Sequence, residues 1–212
     1  NEVYCVDPAA APAMIDAIKA AKAAKDTLGG IVEVLVTGLP PGLGSCTQWY
    51  DRLDGRLMGA VGAIQAIKGV EIGMGFGCAS RRGSVVHDAL YFDSTQQESS
   101  NLGFTRRTNH AGGLEGGMTN GMPIVVRAAM KPISTLLQGM DSVNLRTLGP
   151  ERSDYERSDL CAVPAASVVV EQVVAFELAR AFLEKSTGDT MEEVRAAVSY
   201  FLQAARRLSS AS

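Results

Sequence analysis

The chain has 212 residues, 46% hydrophobic and 20% charged, and its 20 Lys and Arg against 23 Asp and Glu give a formal net charge of −3. This composition belongs to an ordinary globular protein and excludes a disordered or membrane-spanning chain. It also argues against a nucleic-acid partner, because affinity for a phosphate backbone needs clustered positive charge.

At roughly 150 residues per domain, one domain over 1–212 is the expected count. The four cysteines, Cys5, Cys46, Cys78 and Cys161, form no CxxC pair and have no His pair nearby. They read as buried or incidental thiols of a cytoplasmic protein, with no metal site. Neither a basic segment nor an apolar run precedes Ala11-Pro12-Ala13, so no export signal is expected. The chain starts at Asn1 and not at Met, which suggests a piece of a longer protein.

In chain order, Val3 to Val6 reads as extended, and Asp7-Pro8 as the N-cap and first position of a helix to about Lys25, with Met14, Ala17, Ile18 and Ala21 as its buried stripe. Val32, Val34 and Val36 alternate with Ile31, Glu33 and Leu35 in a strand over 31–37. After a Pro- and Gly-rich loop over 39–45, Leu53, Leu57, Ala60, Val61, Ile64 and Ile67 recur at helical spacing up to Lys68-Gly69. Gly55, Gly59, Gly62 and Ala66 line another face of that helix, suited to close helix packing or to backbone laid against a flat ligand. A strand is expected over 70–76, a mobile polar loop over 92–108, and a strand over 122–130 with Pro123 at its permissible start. Turns and short strands follow over 143–159. Helices are predicted over 164–185 and 190–208, with Gly188 as a stop and Asp189 or Thr190 opening the second, Glu193 being placed for a capping box. Val169, Val173, Val174, Phe176 and Leu178 make the first of these apolar all round, as in a helix buried between layers or subunits.

Gly73, Gly75 and Gly77 do not have dinucleotide-fingerprint spacing, and there is no Walker A sequence. No Gly-x-Ser-x-Gly elbow accompanies His87 and His110, so a serine hydrolase lacks its parts. His87-Asp88 reads as an oriented base or as an ordinary surface pair; Arg81-Arg82 and Arg106-Arg107 read as solvated charge or as contacts to an anionic substrate. Three elements say more. The run from Asn109 to Gly121 carries more glycines than a structural turn needs, which suits main chain lying against a planar ring or an anion. Arg127 to Thr135 offers cations, the rigid Pro132 and the hydroxyls of Ser134 and Thr135, a set that suits phosphates and flavin carbonyls. Arg157 and Asp159, two apart in an extended segment before a helix, share a side: a cation for an anion and an acid–base group beside it. Asp159 otherwise reads as a cap for that helix.

At these elements the sequence resembles the chorismate synthase family, as it does at Asp26-Thr27-Leu28-Gly29-Gly30-Ile31-Val32-Glu33-Val34, Pro41-Gly42-Leu43-Gly44-Ser45, Ile64-Gln65-Ala66-Ile67-Lys68-Gly69-Val70-Glu71-Ile72-Gly73 and Gly83-Ser84. The resemblance covers essentially all 212 residues and corresponds to the C-terminal part of the family's chain. It implies an α+β fold, with helices sandwiched with antiparallel sheets, assembled as a homotetramer. It implies a cytoplasmic lyase of the shikimate pathway, which makes chorismate by 1,4-anti elimination of phosphate from 5-enolpyruvylshikimate 3-phosphate. The cofactor implied is reduced FMN, with NADPH as a candidate source of its reduction. Gln65, Ala66, Gly116, Lys131, Pro132, Ile133, Ser134, Thr135 and Arg157 are implied at FMN, Arg157 also near substrate, and Asp159 as the base toward the flavin N5. The family's two catalytic histidines match neither His87 nor His110, so the resemblance also admits an inactive FMN-binding or oligomerisation module.

Overall fold

A computed structural model describes residues 1–156 and 159–209. Helix α1 (Ala11–Ala23) leads into strand β1 (Gly30–Val36), followed by α2 (Leu53–Gly62), β2 (Ile67–Ile72) and the single turn α3 (Gly83–Val86). Two small hairpins come next, β3 (Leu90–Phe92) with β4 (Phe104–Arg106), then β5 (Leu114–Glu115) with β6 (Met118–Thr119). Strand β7 (Ile124–Met130), the hairpin of β8 (Asp141–Val143) and β9 (Pro150–Arg152), and helices α4 (Val163–Lys185) and α5 (Met191–Ser209) complete the chain.

The central element is an antiparallel sheet of order β1-β7-β2. Alternation sorts its residues. Val32 and Val70 flank Ala128, and Val34 and Ile72 flank Val126, on one face; Glu33 and Glu71 flank Arg127 on the other. The first face is covered by α2 and α4, where Leu53, Leu57, Val61, Ile124, Val126, Val170 and Val174 are fully buried. Each such side chain contributes about 1.5–3 kcal/mol through burial. The opposite face leaves Ile31 and Leu35 exposed. Helices packed on antiparallel sheet give the α+β class expected from the sequence.

Helices α2 and α4 are also joined by charge. Arg56, with 11% of its side chain exposed, reaches Glu177 at 3.1 Å and Glu184 at 2.6 Å, and Glu177 is equally buried and also meets Arg180. The valine-rich α4 buries one side only: Val174 and Leu178 are in the core, whereas Val169 and Phe176 are exposed.

Several boundaries differ from the sequence expectation. Helix α1 begins at Ala11, because Pro12 fits only a first helical turn; a helix starting at Pro8 would drive the Pro12 ring into the Pro8 carbonyl. Asp7 instead closes a turn, accepting from the Ala9 N–H at 2.8 Å, and in the expected stripe Ala17 is exposed while Met14, Ile18 and Ala21 are half-buried. Helix α2 stops at Gly62 and not at Lys68. Ile64 and Ile67 keep the apolar spacing because a turn returns both to the core, and Ala66 adopts φ +67° within that turn. The strand expected over 70–76 runs from Ile67 to Ile72, since Gly73 and Gly75 take left-handed conformations and open a 3-10 turn. The segment over 92–108 is a hairpin with a 3-10 turn that Asp93 caps by accepting from Thr95 N–H. Pro123 precedes β7, the central strand of the sheet. The capping box of α5 is present: Thr190 N–H donates to Glu193 at 2.9 Å, and Glu193 N–H donates to the Thr190 hydroxyl at 3.3 Å. Gly188 is not left-handed; it is small because a Cβ there would lie 2.6 Å from the Glu193 Cβ. The four cysteines are free and none is fully buried, with Cys46 exposed.

Candidate functional site

At the sheet end where β1 and β2 begin and β7 finishes, four segments are tied together. The turn after α2 meets the loop after β7 where Lys131 N–H donates to the Ala66 carbonyl at 2.9 Å. That loop is fixed to the segment before β1, because the buried Thr27 hydroxyl donates to the Ile133 carbonyl at 2.6 Å and Pro132 packs against Gly29. The next residue, Leu28, donates its N–H to the Leu160 carbonyl at 2.9 Å, which brings up the segment leading into α4. Gln65, Ala66, Lys131, Pro132, Ile133 and Ser134 are thereby gathered with Asp159, the neighbour of Leu160. Gln65, Lys131, Pro132, Ser134 and Asp159 are exposed, so an ammonium, a hydroxyl and a carboxylate are presented to solvent at one end of the sheet. Thr135, half-buried, continues the same loop, and Arg157 lies outside the described residues.

Asp159 does not cap α4. The N-cap is Ala162 and carries no side-chain cap hydrogen bond, with Pro164 in the first turn. Thr27, which holds the Lys131–Ser134 loop in place, is the residue that motif reading passed over. Its signal is a threonine two residues before a glycine pair: at Gly29 a Cβ would collide with the Met130 carbonyl.

Gly116 is elsewhere. It lies in the β5–β6 turn, whose neighbour Gly117 accepts from Leu53 N–H at 2.9 Å at the start of α2, so the ten-residue helix, about 15 Å long, separates it from the Ala66 turn. Within the glycine run the reasons differ from position to position. A Cβ at Gly112 would strike Gly73, one at Gly113 would lie 2.5 Å from the Pro123 carbonyl, and one at Gly117 would lie 2.5 Å from the Ser45 carbonyl. These three are required by close backbone packing. Gly116, at φ +62°, faces no atom within 4 Å. On the glycine-lined face of α2 only Gly59 meets nothing within 4 Å; a Cβ at Gly55 would lie 3.3 Å from the Trp49 carbonyl and one at Gly62 3.8 Å from Val70, and Ala66 is not on the helix.

Arg127 stands in the middle of β7, bound to Glu71 at 2.9 Å and to the Gly73 carbonyl at 2.9 Å, and so is a sheet ion pair remote from Lys131. Arg106 is likewise engaged, with Glu115 at 2.7 Å. Asp88 does not act on its sequence neighbour His87. Its carboxylate accepts from Thr108 Oγ1 at 2.5 Å, His110 N–H at 2.9 Å and Ala111 N–H at 2.9 Å. Burial would raise the Asp88 carboxyl, but these donors outweigh it and hold the group below the ordinary carboxylate range. Arg81 and Arg82 are exposed.

A family model described as chorismate synthase matches residues 1–183. The chain belongs to the chorismate synthase family. It is 56% identical over 196 residues to the chorismate synthase of Trichlorobacter lovleyi, covering 92% of this chain and 50% of that relative. To that of Mycolicibacterium vanbaalenii it is 55% identical over 204 residues, covering 96% of this chain and 49% of the relative. A solved structure described as a crystal structure of chorismate synthase superposes with a TM-score of 0.76 at 42% identity, covering 94% of this chain and 50% of that one. The chain thus spans about half the length of the chorismate synthases it matches. No helix among the described residues is long and apolar enough to cross a membrane.

Proposed function

We propose that the loop cluster at the Ala66–Lys131 end of the sheet is the flavin and substrate side of a chorismate synthase, which eliminates phosphate from 5-enolpyruvylshikimate 3-phosphate. The observation that carries this reading is the convergence of the Gln65-Ala66 turn, the Lys131–Ser134 loop and the segment of Asp159, three motifs distant in sequence. The donor set suits FMN: an exposed ammonium and hydroxyl for phosphate or ring oxygens, set beside the left-handed turn at Ala66. Reduced FMN held by Lys131, Ser134 and the Gln65-Ala66 turn would supply electron density to the eliminating substrate.

The chain's own groups account for the remaining needs. Loss of phosphate creates negative charge that Lys131 and Arg157 are suited to receive, and loss of a proton requires a base, for which the Asp159 carboxylate is exposed beside the cluster. Gly116, with open space before its Cα, is a further flavin contact, held at the other end of α2. NADPH as reductant and a homotetramer complete this reading, in a cytoplasmic enzyme of aromatic amino acid biosynthesis.

By itself the 212-residue chain is proposed to turn over negligibly, because neither His87 nor His110 matches the family's catalytic histidines, and loss of one general acid or base costs about 10²- to 10⁴-fold. The exposed Ile31, Leu35 and Phe176 favour its serving as an assembly or FMN-binding module in that form. Flavin titration together with turnover under reduced FMN tests both parts. Binding without turnover fits the proposal, and turnover equal to that of a chorismate synthase of the relatives' length contradicts the second part.

A further inference from the structure

At the opposite end of the sheet, beyond Ile72 and Ile124, a cavity of about 350 Å³ is lined by Ser84, His87, Tyr91, Arg107, Thr108 and His110, with Val85 and Ala89 on its wall. We propose that this cavity binds a small phosphate monoester, at a site separate from the Lys131 cluster. The seven residues of β7 span about 20 Å and keep the two apart.

The cavity wall holds one guanidinium, two imidazoles and three hydroxyls, those of Ser84, Tyr91 and Thr108, and no carboxylate. The Thr108 hydroxyl is spent on Asp88, but the guanidinium, the imidazoles and the Ser84 and Tyr91 hydroxyls still offer more donors than the two oxygens of a carboxylate accept, and suit the oxygens of a tetrahedral phosphate. Arg107 is held without neutralising its charge: its guanidinium stacks 4.5 Å from the Tyr91 ring centroid, and it has no ion pair among the described residues. The His110 ring is oriented by its Nδ1, 3.0 Å from the Val86 carbonyl, so its other nitrogen is left for a ligand. The His87 ring lies over Gly83 at the start of α3.

The two walls are fixed to each other by Asp88. Its side chain is 1% exposed and is satisfied by Thr108, His110 and Ala111, so this anion braces the cavity without lining it. The volume exceeds what a bare phosphate fills; Tyr91 and Val85 supply an apolar surface for the organic part of the ligand.

His87 and His110 are the only histidines in the chain, so their imidazole NMR signals report on this cavity alone. Titration of the 212-residue chain with phenyl phosphate is expected to shift both signals along one saturating curve. Arg107→Gln should weaken binding about tenfold or more, as loss of a hydrogen bond to a charged group implies. His87→Gln, at an exposed side chain, should weaken binding several-fold, giving a second reading should Arg107→Gln disturb the fold. Arg152→Gln, in the β8–β9 hairpin where Arg152 pairs with Asp141, should leave affinity unchanged. Non-saturating shifts, benzoate binding as tightly as phenyl phosphate, or wild-type affinity in both Arg107→Gln and His87→Gln would overturn the proposal.

Discussion

Lys131 donates its backbone N–H to the carbonyl of Ala66, at 2.9 Å, and Ala66 makes that contact from a left-handed conformation at φ +67°. An L-residue held there costs roughly 1–2 kcal/mol, a cost that glycine escapes and a β-branched residue increases. Ala66→Gly should therefore raise stability by up to about 1 kcal/mol, and Ala66→Val should lower it by about 1–2 kcal/mol. Urea unfolding of both variants checks the pair; equal and opposite ordering would show that the turn does not hold this conformation in solution.

The ion-paired contact between α2 and α4 predicts non-additive substitutions. Desolvation opposes the charge on Arg56, yet Glu184 and Glu177 outweigh it and raise its pKa further. Arg56→Met leaves the buried Glu177 with Arg180 alone and should cost about 2–4 kcal/mol, whereas Arg56→Met with Glu177→Met should recover most of the loss. A double-mutant cycle by denaturant unfolding measures the coupling, and additive losses would contradict it.

Asp88 carries a pH dependence whose sign follows from its lowered pKa. A depressed folded-state value contributes stability that is present above the unfolded carboxylate value, about 3.9, and is lost as pH falls through the folded value. Asp88→Asn turns an amide N–H toward groups that are themselves donors and should cost about 1–3 kcal/mol at neutral pH. Unfolding midpoints measured down to the acid limit should converge for wild type and variant; parallel curves would remove Asp88 from the acid transition.

Gly73 and Gly116 have nearly equal φ, +59° and +62°, but different surroundings. A Cβ at Gly73 collides with the His110 carbonyl, whereas one at Gly116 meets open space. Gly73→Ala should cost more than about 3 kcal/mol, and Gly116→Ala only the conformational term of about 1 kcal/mol. In a chorismate synthase of the relatives' length, Gly116→Val should weaken FMN binding more than it lowers the melting temperature, as flavin titration beside thermal unfolding will show; the reverse would return Gly116 to a purely structural role.

Lys131 is exposed at the end of a strand and followed by Pro132, so the proposed flavin site would use its charge and not its packing. Lys131→Met should retain the melting temperature and lose about 1–3 kcal/mol of affinity for FMN. Unchanged affinity would assign the ammonium to solvent.

Much of this arrangement was legible where a periodic pattern and a burial pattern coincide. The Val32-Val34-Val36 alternation marks β1, and Thr190 with Glu193 marks the start of α5, because each is decided by residues close in sequence. The end of α2 was not legible. Ile64 and Ile67 continue the helical spacing across the turn, and the partner that sets the chain reversal, Lys131, is 65 positions beyond Ala66. The same limit applies to the site. The motifs single out Lys131, Ser134 and Asp159 as candidates, but the bonds from Thr27 and Leu28 that gather them are long-range contacts with no local signature. In sequence Asp88 pairs with its neighbour His87, although its donors come from residues 108–111. In the glycine run, composition alone made all positions look alike; the backbone of residues 45, 73 and 123 separates the packed glycines from Gly116.

The central claim is that Asp159 acts on a proton in a site that Lys131 and its loop help to build. The most direct measurement is made on Asp159→Asn in a chorismate synthase of the relatives' length, comparing equilibrium binding of FMN and substrate with pre-steady-state turnover. The account predicts nearly unchanged binding and turnover lowered at least about tenfold. Turnover at the wild-type rate would contradict it.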